Sequence, residues 1–364
     1  MSRRDVRRHV GHLLFAGFAG PDVPVELRAL AREFDLGGAV LFARNVEAPE
    51  QVAGLAHGLR LLGVEYPAWV GVDQEGGRVA RLRDPFTRWP PMAALGRADD
   101  PGLASRFARA LARELAAVGI TLDFAPVLDV HTNPLNPVIG DRAIADDASR
   151  VARLGRAIVE GLQAEGIAAC GKHFPGHGDT SVDSHHELPR VDHDLARLRA
   201  VELEPFRAAI AAGVASIMTA HVLVPALDGA RPATLSRAIV DGLLRTELGY
   251  DGLVFTDDLD MKAATGRRGI GEAAVDAVAA GCDAVLICGV DHDRQVEALE
   301  ALIRAVEAGT LPTARVESAW RRGRIAKERF LAAEPWRPPT TVALRDLIGR
   351  VEYAAIAEEM ARFA

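Results

Sequence analysis

Along the chain, a helical period of apolar residues gives way repeatedly to a glycine and then to a short, nearly continuous apolar run. The junctions read AVGITLDFAPV at 117–127, AEGIAACGKHF at 164–174, AAGVASIMTAH at 211–221 and AAGCDAVLICG at 279–289. Before Gly119 the helical face is clearest: Leu103, Phe107, Leu111, Leu115 and Val118 share one side, Asp100 can cap the start and Pro101 suits the first turn. Val151, Leu154, Ile158 and Leu162 repeat the design before Gly166. Gly119, Gly166, Gly213 and Gly281 each stand where a helix ends on a left-handed residue. Eight runs read as strands: 13–18, 38–43, 68–73, 122–130, 167–174, 216–222, 252–258 and 284–289. Such runs, apolar on both faces and alternating with helices, build a parallel sheet. Eight of them predict an α/β fold, a single (β/α)8 TIM-type barrel, and no GxGxxG turn favours an open nucleotide-binding sheet. Charged amphipathic helices are expected at 313–332 and 341–363. The domain organisation expected is one barrel over 1–364, with helices in about 313–364 packed on it and no second domain.

Composition narrows the function classes. The 364 residues are 49% hydrophobic and 26% charged, with a net charge of −7, so neither nucleic acid nor an anionic membrane is an expected partner. Cys170, Cys282 and Cys288 are odd in number, lie in or beside apolar runs and lack metal-site spacing, which predicts buried, reduced thiols. The basic N-terminus leads into an apolar stretch broken by Gly and His, with no clean cleavage site, and no run approaches the ~18 apolar residues of a membrane span. The expected location is the cytoplasm.

The polar residues fall at the strand ends. Asp73, Asp129, Lys172, His173, His221, Asp257 and Asp258 lie at or just past the C-terminal ends of five predicted strands, which in a barrel converge on one mouth. The stretch 171–189, GKHFPGHGDTSVDSHHELP, concentrates four histidines, two aspartates and a lysine in a Gly-hinged loop, a composition no connector needs. In Asp73-Gln74-Glu75-Gly76-Gly77-Arg78, continuing to Arg81, a strand ends in an acid and turns into arginines, suited either to a polyhydroxylated ligand or to an ion-paired turn. The Asn-Pro steps at 133–134 and 136–137 fix an extended loop that aims Arg142 at the mouth. Of the acids in Phe255-Thr256-Asp257-Asp258, one reads as a nucleophile and the other as a cap or support. His173, His177, Asp179, Asp183 and His185 could alternatively bind a metal, although Lys172 would place a fixed positive charge beside the cation.

These stretches together resemble the glycoside hydrolase family 3 β-N-acetylglucosaminidases that trim bacterial cell-wall fragments. The likeness runs through GVDQEGGRVARL (71–82), DFAPVLDV (123–130), NPVIGDR (136–142), KHFPGHGDTSVDSHHELP (172–189), MTAHVLVPALD (218–228), PATLS (232–236) and FTDDLDM (255–261). The resemblance implies that Asp257 is the nucleophile forming a covalent glycosyl-enzyme, and that Asp183 and His185 are the acid/base dyad. It implies further that Asp73, Arg81, Arg142, Lys172 and His173 bind the sugar, while His177 and Asp179 organise the loop. Ala143-Ile144 stand where the family has Ser-Phe. Imidazole titrates near pH 6.5, so an adjacent Asp183 would favour the protonated acid and orient the ring. The implied enzyme is a retaining exo-β-N-acetylglucosaminidase acting as a monomer on a small carbohydrate or muropeptide, with no cofactor and no metal. Its muramyl aglycone comes from the resemblance alone. Three alternatives stay open: a phosphorylase using the same intermediate, a metal-dependent barrel hydrolase, and a sugar-binding barrel without turnover.

Overall fold

All eight runs form strands in the computed structural model, which describes residues 3–182, 188–266, 268–331 and 335–364. They are β1 Leu14–Ala16, β2 Gly38–Leu41, β3 Trp69–Val72, β4 Leu122–Asp123, β5 Ala168–Phe174, β6 Ser216–Thr219, β7 Leu253–Asp258 and β8 Ala284–Ile287. Each pairs in parallel with its neighbours in sequence, and β1 closes the ring against β8. The fold is thus the expected (β/α)8 barrel.

Several strands are shorter than their runs, such as Leu14–Ala16 within 13–18 and Ser216–Thr219 within 216–222, and two elements differ more substantially. β4 stops at Asp123 rather than running to 130, because Pro126 has no N–H to donate to a ladder. The following stretch stays beside β5 through irregular bonds: Cys170 N–H to Ala125 O (2.9 Å), Lys172 N–H to Pro126 O (3.1 Å) and Leu128 N–H to Lys172 O (2.6 Å). At the C-terminal end the expected helix over 341–363 is two, Thr341–Leu347 and Val351–Ala361. The break carries Gly349 at φ +62°, whose N–H donates to the buried Glu114 carboxylate (2.7 Å).

The helix Pro101–Ala117 starts where expected, with the Asp100 side chain accepting from Gly102 N–H, and Gly119 follows at φ +78°. Inside the ring, Phe255 meets Phe15 and Phe124 edge-on at 4.8 and 5.6 Å, and Trp69, Leu122 and Met218 join the same cluster, so side chains fill the barrel below its mouth. The helix Thr313–Leu331 covers the opposite end, placing Leu331 in that inner cluster and Phe330 6.2 Å from Trp69. All three cysteines are free and buried. Among the described residues no helix is long and apolar enough to cross a membrane.

Candidate active site

At the C-terminal ends of the strands lies a cavity of about 300 Å³ whose lining includes Asp73, Arg81, Arg142, Lys172, His173 and Asp257. Six of the eight candidate residues, drawn from loops and strands up to 184 positions apart (Asp73 to Asp257), therefore meet at one place. Asp183 and His185 lie outside the described residues. Val40, Phe124, Met218 and Leu286 give the cavity apolar surface at the top of the filled barrel.

One wall is an ion-paired lattice. Lys172, fully buried on β5, donates from Nζ to Asp73 Oδ1 (2.7 Å) and reaches Glu75 Oε1 at 2.6 Å. Arg142, from the turn Gly140–Arg142, grips the same Glu75 with Nε and Nη2 at 2.9 and 2.8 Å, a forked geometry only guanidinium supplies. Burial alone would push the Glu75 carboxyl up, but Lys172 and Arg142 outweigh it and hold it well below the usual range. Burial likewise opposes charge on Lys172, and Asp73 and Glu75 reverse that, so the ammonium is held protonated. Arg81 completes the wall with Nη2 3.4 Å from Asp73 Oδ2. Arg78, which also lines the cavity, pairs instead with Asp141 (3.1 Å) and the Val138 carbonyl.

Across the cavity, β7 delivers Asp257 and Asp258. Burial raises the tendency of Asp257 to take a proton, but His173, His221, the Asp258 N–H and Lys172 bring it below its ordinary value, leaving an ionised carboxylate. Asp258 goes the other way, to about 6, through burial first and the neighbouring Asp260 and Asp257 charges after it. Its Oδ1 accepts from Asp260 N–H and Cys288 N–H, both at 3.0 Å, so it caps the strand end. His221, read at a strand end, does not line the cavity. It is buried beside it, just past the end of β6, 2.9 Å from Thr234 Oγ1 and 3.0 Å from the Asp258 carbonyl.

The root of the histidine-rich loop is clamped from the stretch following β4. Asp129, fully buried, accepts from His173 N–H (3.2 Å), His173 Nδ1 (2.7 Å) and His177 N–H (2.7 Å). His177 Nδ1 lies 2.7 Å from Thr180 Oγ1, and burial lowers this imidazole to about 4, so it is neutral at physiological pH. Asn136 Nδ2 donates to the His177 carbonyl (2.8 Å), and Asp179 accepts from Thr132 Oγ1 (2.7 Å) and faces His193 Nε2 (2.6 Å). Among the described residues, no three His, Cys, Asp or Glu side chains are arranged to hold a metal ion. Ala143 and Ile144, where the family pattern differs, are buried and do not line the cavity.

Sequence reasoning quoted Glu75 only as part of a turn and read Asp129 only as one strand-end acid. The structure makes Glu75 the shared partner of Lys172 and Arg142, and Asp129 the shared partner of two histidines. A signal existed in that Glu75 stands two residues after Asp73 and Asp129 stands near the end of a predicted strand, but the partners lie 44 to 97 positions along the chain.

Known proteins carry the same arrangement of chain. The model of the glycosyl hydrolase family 3 N-terminal domain matches residues 6–325. A β-hexosaminidase of Thiobacillus denitrificans is 41% identical over 317 residues, spanning 85% of this chain and 83% of its own. A glycoside hydrolase family 3 β-N-acetylglucosaminidase from Paenibacillus sp. str. FPU-7 superposes with a TM-score of 0.94 at 44% identity, over 98% of this chain and 68% of that one. NagZ from Neisseria gonorrhoeae, solved with N-trifluoroacetyl-D-glucosamine, gives 0.77 at 32% identity over 97% and 98%. With sequence and scaffold both matched across nearly its whole length, the chain belongs to glycosyl hydrolase family 3 and is a glycoside hydrolase.

Proposed function

We propose that the enzyme is a cytoplasmic, retaining exo-β-N-acetylglucosaminidase that removes terminal β-linked GlcNAc from peptidoglycan-derived fragments. The observation that carries this reading is the pairing of an ionised Asp257 with the Asp73–Lys172–Arg81 wall across a small cavity closed below by the packed barrel. A blind cavity of that size suits one terminal ring, with the rest of the substrate outside. The names of the relatives, β-hexosaminidase and β-N-acetylglucosaminidase, supply the acetamido sugar.

In this reading Asp73, Arg81, Lys172, Arg142 and His173 hold and orient the ring. Asp257 attacks the anomeric carbon, forming a carbon–oxygen bond as the bond to the leaving oxygen breaks. His185, oriented by Asp183, gives that oxygen its proton and then accepts one from water, whose attack releases the sugar and frees Asp257. Lys172 and the histidines near Asp257 keep it ionised and therefore nucleophilic.

The test is release of an aryl leaving group from its β-N-acetylglucosaminide in phosphate-free buffer with EDTA, beside the corresponding β-glucoside. Release from the acetamido sugar alone is expected. Release only on adding phosphate would make the enzyme a phosphorylase, and release only on restoring metal would replace the histidine mechanism. Asp257→Ala should remove turnover, and Asp183→Ala should slow substrates with poor leaving groups most.

A further inference from the structure

Asp73 and Arg81 face the cavity together, and while Lys172 anchors the Asp73 carboxylate, little in the Arg81 side chain fixes its distance from it. The Nη2–Oδ2 distance is 3.4 Å, Arg81 is about a quarter exposed, and its guanidinium otherwise rests 5.5 Å over the Phe42 ring. Arg81 follows a strand of two residues, Val79–Ala80, whose ladder with Gln74–Gly76 is irregular. The residue that links the two segments is Gln74, adjacent to Asp73 in sequence and 2% exposed. Its Oε1 accepts from Arg81 N–H (2.7 Å) and Leu82 N–H (3.0 Å), and its Nε2 donates to Leu82 O (2.9 Å). Its own N–H, the first amide after Asp73, donates to Asp123 Oδ1 at 3.0 Å.

Asp123 is an unusual support. Leu122 and Phe124 belong to the inner barrel cluster, so strand alternation turns Asp123 to the other side, behind the wall. It is 0% exposed, and its Oδ2 has no hydrogen-bond partner among the described residues. Lys172 spends its near contacts on Asp73 and Glu75. Burial pushes the Asp123 carboxyl well above its ordinary value, with only the Gln74 N–H and the Lys172 charge acting against it.

We propose that Gln74, seated on Asp123, is a positioning residue that sets the spacing of Asp73 and Arg81 for the sugar. This rests on the reading of Asp73 and Arg81 as sugar-binding groups. Gln74 holds one through the adjoining backbone and the other through its side-chain amide, so a change there reaches both without touching the reacting atoms.

Gln74→Glu is the informative variant. An ionised glutamate places an oxygen against the Leu82 carbonyl, where only a protonated carboxyl can donate. Its KM for the aryl β-N-acetylglucosaminide should rise about tenfold at pH 8, corresponding to about 1.4 kcal/mol, and fall back towards wild type near pH 5.5, with kcat within about threefold. The Kd for N-acetylglucosamine, measured by calorimetry, should follow KM. Asp123→Asn keeps the acceptor for Gln74 N–H without charge and should leave KM within about twofold, whereas Asp123→Ala should raise it. Leu103→Ala, a core change in the helix Pro101–Ala117, controls for lost stability and should lower Tm without moving KM.

Unchanged KM and Kd in Gln74→Glu and Asp123→Ala at every pH, with only Tm lowered, would overturn the proposal. So would a rise in KM that Leu103→Ala reproduces. Asp73→Asn and Arg81→Lys separate the two levels. If they raise KM and Kd while Gln74→Glu does not, the positioning role alone fails. If they change neither, or if the wild type neither turns over the glycoside nor binds N-acetylglucosamine, the sugar-binding reading fails and takes the positioning role with it.

Discussion

Adjacent carboxyls on β7 are pushed to opposite protonation behaviour, and that has a measurable cost. Asp258 titrates at about 6 when folded, above its ordinary value, because burial and its acidic neighbours disfavour the charge. A carboxyl shifted this way contributes stability that is present below its unfolded pKa of about 3.9 and is lost as pH rises through about 6. At pH 7.5 the ionised group is therefore a net burden. Asp258→Asn keeps an oxygen for the Asp260 and Cys288 amides and should raise stability at pH 7.5 by about 2 kcal/mol, the gain vanishing near pH 4. Urea melts at the two pH values check this. Lys172 predicts the reverse. Lys172→Met would leave Asp73 without its 2.7 Å partner and Glu75 with Arg142 alone, and should cost about 3 kcal/mol at pH 7.5, the typical penalty of breaking a buried pair. The loss should be smaller at pH 5, where Glu75, relieved of Lys172, takes a proton more readily.

The elements that carry these residues were legible in proportion to how local their causes are. Strand positions follow from nearly continuous apolar runs, and the helix ends follow from glycines such as Gly119 and Gly166, at φ +78° and +84°. β4 is read too long because apolar residues dominate the run 122–130 despite Asp123 and Asp129, whereas Pro126 has no N–H to continue its ladder. The helix break at Gly349 carries the same left-handed glycine signal, at φ +62°, but its partner Glu114 lies more than two hundred residues earlier, which no local pattern reveals. In the site, the strand-end rule located Asp73, Lys172 and Asp257, but pairings such as Glu75 with Arg142 are tertiary facts. The loop root shows the same limit. Gly178 has no left-handed requirement, yet a Cβ there would stand 1.8 Å from the Val130 carbonyl oxygen, a backbone atom that cannot step aside. Gly178→Ala should therefore displace the loop from the Asp129 clamp and lower kcat by about a hundredfold, as a 1 Å misplacement can. Because the barrel core is untouched, Tm should fall by only a few degrees. A variant that melts far lower but keeps its kcat would show the glycine serving the fold rather than the loop.

Across the whole molecule the two ends of the barrel are built for different ends. The C-terminal mouth gathers charges whose mutual pairing serves chemistry, whereas the other end is closed by the helix Thr313–Leu331 and should answer only for stability. That closure contains a weakness. Lys327 is 1% exposed, and its Nζ has no hydrogen-bond partner among the described residues. Burial brings it down to about 8, with Asp35 and Glu65 only partly offsetting. A lysine depressed this way binds its proton less readily folded than unfolded. Its contribution is most favourable above its unfolded pKa of about 10.4 and deteriorates as pH falls through about 8, so at pH 7 the fold carries a buried, unpaired ammonium. Lys327→Met keeps the buried stem and removes the charge. It should raise stability by about 2–3 kcal/mol at pH 7, with the gain shrinking towards pH 10, while KM and kcat stay at wild-type values because no cavity residue is touched. Thermal melts across that range, run beside aryl glycoside kinetics, decide the matter. A stabilised variant with altered KM would mean that the two ends of the barrel are coupled, and a destabilised one would mean that Lys327 has a partner strong enough to offset its burial.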